Sequence, residues 1–305
     1  MDEHEQMIAE MQKKALEAQK QMMEQSLAMQ KQMMAQMGVE MPEGAYDEYM
    51  QQIMKQQTQM QTMTAEEMLE AAKAELAESG YFEEDDEDEY DEEEMKAFIA
   101  ANPVPADCDR YLPIGALLIG TWSEPYEALA VISDVEDIEG ALENGWGIES
   151  REDGLEMLNS LMAGRHAQKF KKTHEALKAG NFDEVDEDDA EDYALSVKGI
   201  TDALEIPQSL VDNCKTLLAW DLERVGYLAR LFVKVGYLSE DEAWDWIKKA
   251  AAETKKTFNS WEEYIVSVLI GRGLAMGVAQ EPYLVAYDLL HDSKPFLDSR
   301  PISNL

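Results

Sequence analysis

The chain has 305 residues and is strongly acidic, with 64 Asp and Glu against 26 Lys and Arg and a formal net charge of −38. That length can hold one or two domains with a sizeable core. A surface this acidic repels nucleic acid and anionic membranes and attracts basic proteins or cations. The composition therefore excludes nucleic-acid-binding and membrane-binding classes and favours a protein partner.

The N-terminal residues MDEHEQ are acidic and polar, unlike the basic start and apolar stretch of a signal peptide. Only two cysteines are present, Cys108 and Cys214, with no Cys-x-x-Cys motif, which is typical of a reducing compartment. The longest apolar runs, such as LPIGALLIG at 112–120, are too short to cross a bilayer. These features predict a cytoplasmic protein.

Residues 1–80 differ in composition from the rest of the chain. Fifteen of the 19 methionines lie at or before Met68, and residues 3–37 lack Gly and Pro, which favours helix. An interrupted heptad makes this helix coiled-coil-like, and methionine adapts to irregular apolar partners. We predict a Met/Gln-rich helical arm that binds a partner. Its contact residues are Met7, Met11, Met22, Met29 and Met33.

Three alternatives stay open for this arm. It packs on its own globular domain, it is partly disordered, or it mediates self-association through residues 1–78. An acidic linker is predicted over 81–94, because Glu83–Glu94 holds 11 acidic residues and no basic one. A second acidic run, Asp183–Asp192, holds 8 more. Such runs are typical of solvated linkers.

Residues 95–305 are predicted to form one all-α globular domain, since strand signals are almost absent. Ser150, Ser239 and Ser260 are N-cap candidates, and glycines such as Gly145 and Gly236 end helical patterns. We predict a compact multi-helix domain. Its helices lie at about 124–144, 151–163, 166–179, 187–198, 207–235, 240–258, 261–278 and 282–291, and a break within the first range stays open.

The stretch LLAWDLERVGYLARLF at 217–232 places charges inside the apolar face of one helix. At 100° per residue, Asp221 and Arg224 share a stripe with leucines and valines. Arg272, on a later helix, also points inward. The opposite face of the first helix is predicted to be solvent-exposed. It carries Glu223, Tyr227, Arg230 and Lys234.

Two interpretations of this polar cluster are open. In the first, Asp221 accepts from both Arg224 and Arg272 in a structural network, with help from Glu242 or Glu263. In the second, the surplus arginine faces a cavity and binds a carboxylate or phosphate, with His166 nearby. No metal site is predicted, because His166 and His174 have no further ligands close in sequence. Catalytic and nucleotide-binding motifs are absent, so no cofactor is predicted.

Several motifs occur in the order and spacing of a known family. They are Trp-Gly-Ile at 146–148, His166, Trp220-Asp221 with Arg224, Gly-Tyr…Glu-Ala-Trp at 236–244, Ser-Trp-x-x-Tyr at 260–264 and Gly-Arg at 271–272. Over roughly residues 112–280 the chain resembles the bacterial domain of unknown function 1266. One departure is Gly-Arg-His at 164–166 in place of a Gly-His pair. The resemblance implies a bacterial, helical, cytoplasmic protein, and the family has no established activity.

The leading functional hypothesis is a protein–protein interaction module of adaptor, chaperone or immunity type, rather than an enzyme. It would bind a basic or apolar protein partner in the bacterial cytoplasm. The alternative is an enzyme or small-anion sensor that uses the buried Asp/Arg/Arg cluster. A solvent-open cavity lined by these residues would favour the alternative, whereas a dry, fully paired cluster would favour a structural role.

Overall fold

A computed structural model describes residues 92–305, and the predicted all-α class is confirmed: this part of the chain contains thirteen α-helices and no strand. The Met/Gln-rich arm and the predicted linker as far as residue 91 lie outside the described residues. The last three residues of that linker begin α1. The helices are α1 Glu92–Ala101, α2 Ala116–Gly120, α3 Val135–Trp146, α4 Arg151–Met162, α5 Arg165–Lys169, α6 Lys171–Lys178, α7 Glu187–Lys198, α8 Gln208–Asp212, α9 Leu218–Lys234, α10 Glu240–Thr257, α11 Trp261–Met276, α12 Glu281–Leu290 and α13 Lys294–Asp298.

Helix α9 is the centre of this domain. It packs against α2, α4, α10 and α11, and 13 of its 17 residues are buried. A helix buried on nearly all sides needs internal partners for every charge that it carries. The following helix α10 begins after the predicted N-cap Ser239, which forms a capping box with Glu242. In residues 92–305 no helix combines the length and apolarity needed to cross a bilayer.

The prediction that Glu223, Tyr227 and Arg230 face solvent is wrong. Both charged residues are fully buried, and Tyr227 is 4% exposed. The reason is that the segment after α1 folds back onto this face of α9. There, Arg230 donates to the carbonyl oxygens of Leu112 and Ile114, each at 2.7 Å.

Glu223 holds the other side of the same segment. Its carboxylate accepts from the backbone N–H groups of Gly115 at 3.0 Å and Leu118 at 3.1 Å, and from the Tyr264 hydroxyl at 2.8 Å. Burial raises the pKa of Glu223, while these three donors and Arg230 act in the opposite direction. The carboxylate thus supplies acceptors to the first turn of α2, whose preceding residue is a glycine without a capping side chain.

Two glycines, Gly115 and Gly226, allow this segment to approach α9 closely. A Cβ added at Gly226 would lie 2.3 Å from the carbonyl oxygen of Ile114. Gly115 has a φ of +90°, and a Cβ there would lie 2.5 Å from the backbone of Gly226. Neither position has room for a side chain, so loop and helix touch backbone to backbone.

Several predicted helices are divided or shortened. The range 207–235 splits into α8 and α9, and 166–179 splits at the buried residue Phe170 into α5 and α6. Residues 124–134 are not helical, because the Glu124 carboxylate binds the amides of Ile132 and Ser133 and holds a loop. The second acidic run lies in a 3₁₀ turn, Phe182–Glu184, and in α7.

Candidate functional site

An open cleft of about 500 Å³ lies beside α9. Its walls come from α2 and the turn after it, from α3 and α9, and from the junction of α11 with α12. Three tryptophans and two arginines line it: Trp122, Trp146, Trp220, Arg224 and Arg272. We call it the arginine cleft. Its size lies within the ~300–1,000 Å³ typical of small-molecule sites.

Arg224 projects into this cleft from α9 and is held by two indole rings. Its guanidinium carbon lies 4.2 Å from the ring centroid of Trp146 and 5.0 Å from that of Trp220. Cation–π contacts of this kind attract the charge and restrict the side chain. Burial lowers the pKa of Arg224 to about 10, and the nearby Asp221 charge opposes that shift. The group therefore remains protonated at neutral pH.

Asp221 is fully buried and binds helix α5. It accepts from the backbone N–H groups of His166 at 3.0 Å and Ala167 at 2.9 Å, and Oδ1 lies 2.7 Å from Nδ1 of His166. Because Gly164 precedes α5 and has no side chain, Asp221 supplies the capping acceptor from another helix. The structure therefore brings Asp221, His166 and Arg224 together. In the described residues Asp221 accepts from neither Arg224 nor Arg272, contrary to the network hypothesis.

His166 links this carboxylate to Arg224. Nη1 of Arg224 lies 3.0 Å from Nε2 and 3.1 Å from Nδ1 of the imidazole, so the guanidinium contacts the ring at nearly equal distances from its two nitrogens. The order of contacts is thus Asp221, His166, Arg224 and then the cleft.

Arg272 reaches the same cleft from α11. It is half-buried and donates through Nη1 to the carbonyl oxygen of Gly277, just beyond the end of its own helix. Burial lowers its pKa, and the more distant Glu281 charge opposes the shift. In residues 92–305 neither Arg224 nor Arg272 forms a direct ion pair with a carboxylate.

Glu242, the remaining predicted site residue, lies elsewhere. It binds Ser239 in the capping box of α10 and pairs with Arg151 at 2.7 Å. Glu263, named with it as a possible acceptor, binds Asn259. Within the described part of the chain, no group of three His, Cys, Asp or Glu side chains could hold a metal ion.

Sequence reasoning missed several residues of the cleft. Tyr227 was predicted to face solvent. It lines the cleft instead, and its ring stacks on that of Trp146 with 6.0 Å between the two centroids. Trp122 and Met276 also line the cleft, yet 60% and 66% of their surface is exposed. The sequence offered one indication of Trp122 as a site residue, namely a tryptophan within the turn-forming sequence TWSEP.

Comparison with known protein families matches about half of the chain. The model of a family described as protein of unknown function (DUF1266) matches residues 141–295, from the middle of α3 into α13. That range includes Trp146, Trp220, Arg224 and Arg272, while Trp122 precedes it. No curated protein and no solved structure matches the chain.

Proposed function

Since the chain belongs to the DUF1266 family of proteins of unknown function, we propose its role from the cleft itself: it binds a small organic anion between Arg224 and Arg272. One observation supports this above all. Two guanidinium groups line a single open cleft, and neither is neutralised by a direct carboxylate contact in residues 92–305. A planar guanidinium fork matches a carboxylate or phosphate in geometry as well as charge.

Arg224 is also organised before any ligand arrives. Two tryptophan rings and His166 hold its guanidinium, so binding would immobilise little further side-chain freedom. Partial burial strengthens its attraction for an anion relative to a solvated arginine. These features support a specific site over a merely basic surface.

Binding without catalysis is the simpler form of this proposal. Asp221 and His166 resemble the carboxylate–imidazole pairs that act as general bases. Here, however, the imidazole contacts Arg224, and it is Arg224 that lines the cleft. We therefore assign His166 and Asp221 to the support of Arg224.

Thermal unfolding with added anion tests the site. Phosphate and chloride are compared at equal ionic strength for wild type, Arg272→Gln and Arg110→Gln, the last an exposed arginine outside the cleft that controls for net charge. A ligand at 100 times its Kd stabilises the folded state by about 2.7 kcal/mol. We expect phosphate to raise the Tm of wild type and Arg110→Gln but not of Arg272→Gln. Equal shifts in phosphate and chloride would contradict the proposal.

We also propose, on a separate surface, the docking of a basic protein partner, as the net charge predicts. Supporting this, α7 presents exposed carboxylates at Glu187, Asp188 and Glu191. The test is a pull-down from source cells, which should capture one dominant partner. The triple variant Glu187→Gln, Asp188→Asn and Glu191→Gln should capture less of this partner, and so should wild type in added salt. Partner capture that is insensitive to both changes would count against this second role.

A further inference from the structure

We infer that the ligand of the arginine cleft is an amphipathic anion: one carboxylate or phosphate ester group joined to a neutral, apolar body of about one aromatic ring. This inference rests on the proposed anion site and adds the class of ligand. It comes from the size of the cleft, from the exposed apolar side chains along it, and from the carboxylate that Glu281 contributes to its lining.

Size is the first argument. The cleft holds about 500 Å³, whereas one water takes a share of about 30 Å³ in the liquid. An inorganic anion of five heavy atoms would leave most of this space unfilled. Filling the cleft from the arginines to the side chains of Trp122 and Met276 therefore requires a ligand that has an organic body.

The exposed apolar residues give the second argument. Met276 and Trp122 have the largest exposed fractions among the exposed large apolar side chains of residues 92–305, at 66% and 60%. Both line this one cleft, although Trp122 follows α2 and Met276 ends α11. Exposed apolar surface concentrated at one place marks a binding site, and methionine accommodates ligands of varied shape. A ring between these side chains would remove apolar surface from water on both.

Charge along the cleft gives the ligand its orientation. The two guanidiniums belong to half-buried residues, whereas Trp122, Met276 and the carboxylate of Glu281 belong to exposed ones. The anionic group is therefore placed inward and the apolar body outward. Glu281 lines the same cleft, and its charge also acts on Arg272. It disfavours a second negative charge on the ligand, so a ligand with a single anionic group fits best.

Calorimetric titration with matched probes tests the inference. Acetate and phenylacetate share the carboxylate, and phenylacetamide keeps the ring without the charge. We expect phenylacetate to bind at least tenfold more tightly than acetate and phenylacetamide to show no binding. Trp122→Ala should abolish the advantage of phenylacetate over acetate. The control, Phe182→Ala, removes another exposed aromatic residue that lies away from the cleft and should change nothing.

The outcomes separate the two proposals. Equal affinity for acetate and phenylacetate, lost in Arg272→Gln, would overturn the amphipathic ligand and leave the anion site standing. Binding of phenylacetamide as tight as that of phenylacetate, or no binding by any anion, would overturn the anion site itself. Circular dichroism and thermal unfolding of each variant check that the fold is retained, as expected for Trp122→Ala and Phe182→Ala at exposed positions.

Discussion

Asp221 and Glu223 lie two residues apart on α9, and each binds the first turn of a different short helix. Asp221 accepts from the backbone of His166 and Ala167 in α5, and Glu223 accepts from the backbone of Gly115 and Leu118 at the start of α2. Positions two apart point to opposite sides of a helix. One helix therefore fixes both the support of Arg224 and a wall of the cleft.

The first prediction concerns the buried Asp221 carboxylate. Asp221→Asn keeps the shape but loses the charge, and its amide cannot accept from all the donors that the carboxylate binds. Hydrogen bonds to charged groups contribute about 1.5–3 kcal/mol. We expect the free energy of unfolding, measured in urea, to fall by that amount. Asp137→Asn, an exposed residue of α3, is the control and should stay within about 0.5 kcal/mol of wild type.

A second prediction concerns His166 as a positioning residue. His166→Ala removes the group that holds Nη1 of Arg224, so the guanidinium gains freedom that binding must then restrict. We expect phosphate affinity to fall about tenfold, which corresponds to about 1.4 kcal/mol. His166→Gln, whose amide oxygen can accept from Arg224, should recover part of the loss.

The control for this experiment is His291→Ala, because His291 is exposed and does not line the cleft. A purely structural role for His166 would lower the unfolding free energy and leave phosphate affinity unchanged. That result would show that His166 does not contribute to anion binding.

A third prediction concerns Arg230, which is fully buried and bonded to carbonyl oxygens of the 112–115 loop. Arg230→Met leaves those oxygens without donors and leaves the buried Glu223 without its nearest cation. Breaking one side of a buried charge arrangement costs about 3–5 kcal/mol. Urea unfolding should show a loss of this size.

Lys234→Met is the matched control, one helical turn further along α9. Lys234 is half-buried and bonds the carbonyl oxygens of Val131 and Ile132 at 3.2 Å. We expect a loss below about 1 kcal/mol, in the range of exposed or partly exposed charges. Equal losses in the two variants would show that the buried position of Arg230 is not what matters.

The charged positions show what sequence could and could not predict. N-caps are local, so Ser239 and Ser260 correctly predicted the starts of α10 and α11. Ser239 completes a capping box with Glu242, whereas the Glu263 carboxylate binds Asn259 and leaves Ser260 without one. A helical wheel identified Asp221 and Arg224 as inward-facing, and Arg224 and Arg272 as candidates for one site. It misplaced Glu223 and Arg230, because a second buried face is recognised only from the loop that covers it. That loop lies 108 residues away from Glu223 in sequence, beyond any local pattern.

A fourth prediction concerns pH and the buried His174. Burial, with a smaller effect of Lys178, lowers the pKa of His174 to about 4 from its usual value of 6.5. The folded state therefore favours the neutral imidazole. The resulting stability is fully present above pH 6.5 and is lost as the pH falls toward 4. At 1.36 kcal/mol per pKa unit, the full effect is about 3 kcal/mol.

The test compares His174→Phe with wild type by urea unfolding at pH 7 and pH 4.5. Phenylalanine keeps the ring that packs beside Tyr193 and has no proton to bind. We expect a smaller loss of stability on acidification in this variant than in wild type. The control is His291→Gln, which changes an exposed histidine. Its loss of stability between pH 7 and pH 4.5 should equal that of wild type. Identical pH dependence in His174→Phe and wild type would mean that His174 does not titrate in this range.

The backbone contact between the 112–115 loop and Gly226 has a consequence for the order of folding. Docking of the loop on α9 joins residues that are 108 apart in sequence, and closures of this length slow folding. The arginine cleft takes one wall from the segment that docks there and another from the start of α12. The cleft is therefore complete only when parts of the domain that are distant in sequence have packed together. Ligand binding can thus serve as a measure of how much of the chain has reached the native fold.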